Sequence, residues 1–286
     1  MPIEPPVSTP RDLSEAYSLL SDGAGWRPIA GGTDLMVQIT GELVPAPDRV
    51  LDLWRLHELR GISVGHDGAT LAVGALTTYT EIRRSSAVRE HLPALAEAAA
   101  TIGAVQIQNR GTIGGNVVNA SPAGDTLPVL LAADAAIVLG SVRGERQIAA
   151  AGFWTGYRET ARSADELVLG VHFPLQSGRT LRFRKVGTRR AQAISKVVMA
   201  LAYRADGGVW RDVRVALGSV AATPVRARET EGVLEGAAPR KSSADHAAAT
   251  IVGEITPIDD VRSTAAYRRA VTGRILHRML RDEGGW

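Results

Sequence analysis

The 286-residue chain contains no cysteine. Without a thiol it can form no disulfide, bind no zinc through sulfur, carry no iron–sulfur cluster of its own and offer no thiolate nucleophile. Lysine is nearly as scarce. Of 33 basic residues only Lys185, Lys196 and Lys241 are lysine, and no Gly-Lys dipeptide occurs, which removes the Walker-type phosphate loop. Aromatic residues make up 5% of the chain, and its basic residues are scattered. A nucleic-acid surface needs a basic stripe with stacking rings, so no nucleic-acid partner is expected. Long apolar runs are missing too: the best candidate, Leu127 to Ala133, meets Asp134 after seven residues, against the ~20 that a spanning helix needs. Met1 to Pro10 has neither the basic start nor the apolar stretch of a secretory signal. The expectation is a cytoplasmic protein without membrane insertion. No HExxH or clustered His–carboxylate set is present, the GxSxG match at Gly61 to Gly65 falls within a predicted hairpin strand and makes no strand-to-helix elbow, and His57, His66, His91, His172, His246 and His277 are scattered. Neither a bound metal nor a serine hydrolase is expected.

What is present reads as an ordinary globular chain: 45% hydrophobic, 22% charged, net charge +3, with 30 Gly and 14 Pro. Leu13, Ala16, Tyr17, Leu19 and Leu20 fall at helical spacing behind Ser8, Thr9 or Asp12 as a cap. Arg27 to Ala30 and Val50 to Leu53 read as short strands, and Leu35 to Ile39 as the start of a helix. Gly23-Ala24-Gly25 opens like a dinucleotide fingerprint, but Pro28 occupies the place of the third glycine, so it reads as a turn. Ile62 to Val64 and Thr70 to Val73 flank a hairpin turn at His66-Asp67-Gly68. Thr78 and Glu81 are spaced as a capping box. Leu92 to Ile102 predicts an Ala-rich helix, and residues 135–139 and 146–148 a second hairpin. Beyond a boundary at Pro174 to Gly178, residues 181–186, 193–203 and 209–220 predict three strands. Residues 224–234, 244–255 and 265–280 predict helices. The fold class is α+β, in two units of about 1–176 and 177–286.

Two glycine segments stand out. Ala30-Gly31-Gly32-Thr33-Asp34-Leu35 lies between a predicted strand and a predicted helix. Successive glycines let backbone N–H groups turn toward one point and let an anion approach without Cβ clashes. By itself the pair is equally a tight turn. The second segment runs from Asn109 to Asp125 and packs four Gly, three Asn, one Thr, one Ser and one Asp into 17 residues without an amphipathic period. A loop so long and so rich in hydrogen-bonding groups is unusual. Two such turns, each beside a hydroxyl, suggest two arms gripping one diphosphate.

The segments AGGTDL (30–35) and NRGTIGGNVVNASPAGD (109–125), in this order and spacing, resemble the FAD-binding middle subunit of the molybdenum hydroxylases, the family of xanthine dehydrogenase and carbon monoxide dehydrogenase. The likeness continues through GYRET (156–160), DELVLGVHFP (165–174), FRKVGTRRAQAISKV (183–197), VRVALGSVAATPVRA (213–227) and AYRRAVTGRIL (266–276), and so covers nearly the whole chain. It implies a two-subdomain FAD-binding fold of the PCMH type (about 1–56 and 57–176), followed by a C-terminal α+β domain (177–286) with a three-stranded antiparallel sheet and helices. The pyrophosphate of a non-covalent FAD would lie on the backbone of Gly31, Gly32, Thr33 and Asp34, between Ala30 and Leu35, and on Ile113 to Asn116. Thr112, Ile113, Gly114, Gly115 and Asn116 would form the second arm. Asp125 corresponds to an acidic residue that hydrogen-bonds the flavin nucleotide; in its own right it also reads as a helix N-cap. Lys185 corresponds to a basic residue near the isoalloxazine, where its charge would favour reduction; otherwise it is a surface lysine on a strand. Ile102 and Val168 occupy positions that pack against the cofactor. Ile102 is aliphatic where relatives carry an aromatic.

The resemblance further implies an oxidoreductase subunit without a catalytic side chain, because a flavin brings its own redox chemistry. A small subunit with two [2Fe–2S] clusters and a large molybdopterin subunit would be its partners, in a dimer of heterotrimers. Electrons would pass from the clusters through FAD to NAD+ or another acceptor. Some relatives carry an inserted [4Fe–4S] site in this subunit, which a chain without cysteine cannot hold. Two other readings stay open on the sequence: a self-contained FAD-dependent oxidase, and a nucleotide-binding assembly subunit without redox activity.

Overall fold

The computed structural model describes residues 5–189 and 191–286. Met1 to Glu4 and Arg190, which fall within the segments 1–10 and 183–197 read above, lie outside the described residues. The first layer is a small parallel sheet. Asp12 accepts the Glu15 N–H at 2.8 Å and caps α1 (Leu13–Ser21), whose Ala16 and Leu20 are buried. Strands β1 (Val7–Ser8), β2 (Trp26–Ile29) and β3 (Arg49–Asp52) pair in the order β1-β3-β2. Helix α2 (Leu35–Thr40) follows β2 and buries none of its residues.

The second layer is a five-stranded antiparallel sheet in the order β4-β5-β10-β6-β7. The predicted hairpins form as β4 (Ile62–Val64) with β5 (Thr70–Gly74), and β6 (Ala136–Ser141) with β7 (Gly144–Ala149). A small pair, β8 (Trp154–Gly156) and β9 (Glu159–Thr160), precedes the central strand β10 (Leu167–Pro174). Val171 of β10 faces Val73 on one side and Ile137 on the other. Between β5 and β6 run α3 (Tyr79–Arg84), α4 (Ser86–His91), α5 (Pro93–Ala100), α6 (Val105–Gln108), α7 (Ile113–Asn119) and α8 (Leu127–Ala132). The Thr78–Glu81 capping box at α3 is formed in both directions. In α5, Ala94, Leu95, Ala98 and Ala99 are buried, so small side chains bring its backbone close to the sheet.

The third layer is a sheet in the order β11 (Arg179–Val186), β12 (Val197–Asp206), β13 (Val209–Gly218), β14 (Val225–Arg226). Helices α9 (Arg228–Leu234), α10 (Lys241–Glu254) and α11 (Ala265–Gly284) cover it. Seven consecutive residues of β12, Val197 to Tyr203, are buried because each face of the strand has its own core. Val198, Ala200 and Ala202 pack with the second layer, whereas Val197, Met199, Leu201 and Tyr203 pack with α9 to α11. The two-residue period of a strand thus glues two units together.

Several expectations are corrected. The C-terminal sheet has four strands, because Val225–Arg226 pairs with Leu217 and Ala216 before α9 begins at Arg228. Strand β12 starts at Val197 rather than 193, since Ser195 turns aside to bond Asp125. The segment 109–125 is not a continuous loop: its middle is α7, N-capped by Thr112. Asp125 does not cap α8. Thr126 occupies that position without a side-chain cap bond, and the Asp125 carboxylate is used elsewhere. Among the described residues, no helix is long and apolar enough to cross a membrane, and no group of three metal-binding side chains occurs.

Candidate functional site: a two-armed cleft

The first arm begins where β2 leaves its sheet. The last rung is the bond from the Leu53 N–H to the Ile29 carbonyl, at 3.0 Å. The chain then turns through Gly32, whose φ of +73° suits glycine, and enters α2. Among the described residues, none of the five backbone N–H groups from Gly31 to Leu35 donates to a protein acceptor. Five open donors around one turn and one helix start are chemically able to hold an anion.

The second arm is built differently. The Ile113 N–H donates to the Thr77 carbonyl (3.1 Å) and the Gly114 N–H to the Ala75 carbonyl (2.9 Å). The Gly115 N–H donates to Thr112 Oγ1 (3.1 Å) and the Asn116 N–H to the Thr112 carbonyl (3.1 Å). Its backbone donors are therefore engaged by the protein. What it offers instead is a bare surface and side-chain polarity. A Cβ at Gly114 would lie 2.7 Å from the Ala75 Cβ, so this turn sits directly on the end of β5. A Cβ at Gly115 would meet only Thr112 Oγ1, at 3.0 Å, and would otherwise fill the cleft. Asn116 Oδ1 accepts from the Thr126 hydroxyl, and the Asn116 amide nitrogen has no protein acceptor among the described residues.

The arms touch. A Cβ on Gly31 would stand 1.8 Å from the Arg110 carbonyl oxygen, so only glycine allows this approach. Between the arms lies a solvent-open cleft with about 1010 Å³ of atom-free space. Ala30, Gly31, Gly32, Thr33, Asp34, Leu35, Thr112, Gly114, Gly115, Asn116 and Val168 all line it. Its apolar end is formed by Ile29, Leu53, Leu59, Leu76 and Leu167, and Arg27 and Arg162 add positive charge. Glu166 closes that end, held by Arg146 at 2.5 and 2.8 Å and by the Ser163 N–H at 2.7 Å. These bonds draw its carboxyl down to about 2. A long ligand with an apolar planar end and a diphosphate fits this donor set, as FAD requires.

Four of the sequence-predicted residues do not line the cleft: Ile102, Ile113, Asp125 and Lys185. The Ile113 side chain is fully buried in the core. The other three gather at a second cluster, where β11 of the C-terminal unit meets the end of α5 and the turn before α8. Lys185 Nζ donates to Asp125 Oδ2 at 2.6 Å and to the Thr101 carbonyl at 3.0 Å. The Ser195 and Thr101 hydroxyls donate to the same carboxylate. Burial pushes the Asp125 carboxyl above the ordinary aspartate range, opposed by Lys185, Ser195 and Thr101. The buried Gln108 amide holds the Ile102 carbonyl at 2.9 Å and the Ala100 carbonyl at 3.2 Å, shaping the turn beside this cluster. Lys185 is thus no free surface lysine; its side chain is 10% exposed.

Sequence reasoning missed Leu53, Leu59, Tyr79 and Arg162 of the cleft, and Thr101 and Ser195 of the cluster. None carries a local signal, because each acts across 24 residues or more or through the packing of separate layers. Asn119 lay within the quoted second segment and lines the cleft, so its position was legible although its part was not.

Fold and site together define a nucleotide-binding protein whose N-terminal sheets carry the cleft and whose C-terminal α+β unit packs against α5 and α8. Residues 3–176 match the family of the FAD binding domain in molybdopterin dehydrogenase, and residues 182–282 match the CO dehydrogenase flavoprotein C-terminal domain. The glyceraldehyde dehydrogenase medium chain of Sulfolobus acidocaldarius is 34% identical over 259 residues, covering 91% of this chain and 91% of the relative. The xanthine dehydrogenase FAD-binding subunit of Escherichia coli O157:H7 is 30% identical over 282 residues, covering 96% and 95%. The solved structure of carbon monoxide dehydrogenase from Hydrogenophaga pseudoflava superposes with a TM-score of 0.92 at 31% identity, covering 97% of this chain and 96% of that one. The chain belongs to the FAD-binding family of the molybdopterin dehydrogenases, as an oxidoreductase subunit whose cofactor is FAD.

Proposed function

We propose that this chain is the electron-transfer flavoprotein subunit of a multi-subunit molybdenum hydroxylase in the cytoplasm. In this reading it takes electrons from [2Fe–2S] clusters of a small partner subunit, themselves fed by a large molybdopterin subunit, and delivers them to NAD+ or another acceptor. The complex is a dimer of heterotrimers. Residues 1–176, as subdomains of about 1–56 and 57–176, hold the non-covalent FAD, and residues 177–286 form the C-terminal α+β domain. FAD supplies the redox chemistry when bound, and the protein supplies position and charge.

The observation that carries this reading is the run of N–H groups from Gly31 to Leu35 that have no acceptor among the described residues and share one cleft with Gly114 and Gly115. Those donors orient a diphosphate between Ala30 and Leu35, with the Thr112 and Asn116 side chains on its other side. Val168 and its leucine neighbours exclude water from the apolar end. Outside the cleft lining, Lys185, fixed by Asp125, Ser195 and Thr101, holds a positive charge near Ile102. Co-purification of the full chain tests the proposal. The expected result is a yellow complex with iron- and molybdenum-containing partners that releases FAD on denaturation. A chain that stays colourless after FAD addition, or one that oxidises an alcohol or sugar by itself, refutes it.

A further inference from the structure

The two arms come from different layers, so something must hold their spacing. Three side chains outside the cleft, Trp54, Arg60 and Arg110, meet where the two layers join. Trp54 follows β3 in the first layer, and its N–H is fixed on Asp52 Oδ1 at 2.9 Å. On one face of its indole lies the Arg60 guanidinium, 4.2 Å from the ring centroid. On another lies the Arg110 guanidinium, 3.8 Å from the centroid. Arg60 is immobilised by donating to the Leu76 carbonyl (3.0 Å) and the Trp54 carbonyl (3.1 Å). Arg110 stands at the start of the second arm and reaches the first layer twice: its carbonyl abuts Gly31 and its guanidinium stacks on Trp54. None of the three lines the cleft. A guanidinium packed on an indole is held by the ring quadrupole as well as by contact area, and Trp is the best such ring.

We propose that Trp54 is a positioning residue for the cofactor cleft, holding the second arm against the first through Arg110. This rests on the reading of the cleft as the FAD site. With the indole gone, the Arg110 side chain loses its seat. The Arg110–Gly31 backbone contact then loses its side-chain support, and the arm spacing that the diphosphate needs becomes more variable. Binding loses part of its preorganisation.

The test is FAD titration and FAD release on the full-length chain, stripped of cofactor, with apo-protein melting measured alongside. The wild-type chain must first bind FAD; if it does not, the FAD reading itself fails. Trp54→Leu is expected to weaken FAD about tenfold and to speed release correspondingly, as is Arg110→Ala. The double variant is expected to lose no more than either alone, because both remove one contact. Trp54→Phe keeps a ring and is expected to stay within about threefold of wild type. A merely structural role would lower apo melting while leaving affinity and non-additivity unmoved. Wild-type affinity in Arg110→Ala, or losses that multiply to about a hundredfold in the double variant, overturns the proposal. Arg110 is exposed, so that arm of the test holds even where Trp54→Leu fails to fold.

Discussion

Replacing Gly31 by alanine tests the arm geometry most directly. The added Cβ would stand 1.8 Å from the Arg110 carbonyl oxygen and 2.6 Å from its carbon, and neither belongs to a flexible side chain. To reach 3.0 Å, the least distance real Cβ contacts show, the arms must part by about 1.2 Å. Hydrogen bonds tolerate only a few tenths of an ångström, so a diphosphate spanning both arms loses about two charge-assisted bonds on one side. At ~1.5 kcal/mol each this is about 3 kcal/mol, or roughly a hundredfold in FAD affinity. Flavin fluorescence titration of the apo chain reads the loss. Gly23→Ala is the control: it has open space around it but a φ of +72°, so it should lower stability by ~1 kcal/mol and leave FAD affinity unchanged. A folded Gly31→Ala chain that binds FAD within threefold of wild type would refute the two-arm account.

Other expectations follow from the charges and caps. Glu166 has its carboxyl held at about 2 instead of 4.5, so its contribution is present above pH 4.5 and is lost as the pH falls toward 2. The half-exposed Arg146 is screened by solvent, which reduces that contribution to ~1–2 kcal/mol. Acid denaturation of Glu166→Gln against wild type measures it, and parallel curves between pH 4.5 and 2 would sink the assignment. Lys185→Met should cost ~3 kcal/mol, because it strands the buried Asp125 carboxylate. The deficit should widen as the pH rises, since an acid raised by burial favours the folded state only while protonated. Urea titration at two pH values checks this, and a deficit independent of pH contradicts it. Thr112→Ala removes the cap on α7 and should lower stability by ~1 kcal/mol. A melting temperature equal to wild type would show that the arm is held by packing alone.

Features confined to a few residues were legible. The Thr78–Glu81 capping box, the hairpin over residues 62–74 and the breaks in the glycine segments depend on interactions within one turn of chain. Helix α7 was not legible, because Gly114, Gly115 and two asparagines give it poor intrinsic propensity. It forms because Ile113 and Val117 are buried and because Thr77 and Ala75 capture its first N–H groups. Asp125 looked like a cap, and lost that role to a lysine 60 residues away. The strand Val225–Arg226 is too short to show any period and exists through its pairing with β13.

The sequence by itself determined that this chain holds no iron through sulfur, which two glycine segments are the candidates for binding a cofactor, and the family to which the chain belongs. Those conclusions rest on residue identity and local backbone freedom, which no packing can alter. Only the tertiary structure decided which donors are open. Among the described residues, the first arm keeps five N–H groups free because it leaves the edge of a parallel sheet, whereas the second spends its own on the end of β5 and on its helix cap. It also separated Asp125 and Lys185 from the cleft and gave them Ser195 and Thr101 as partners. Hydrogen-bond satisfaction is settled by which segments meet in space, and that meeting requires the packed layers.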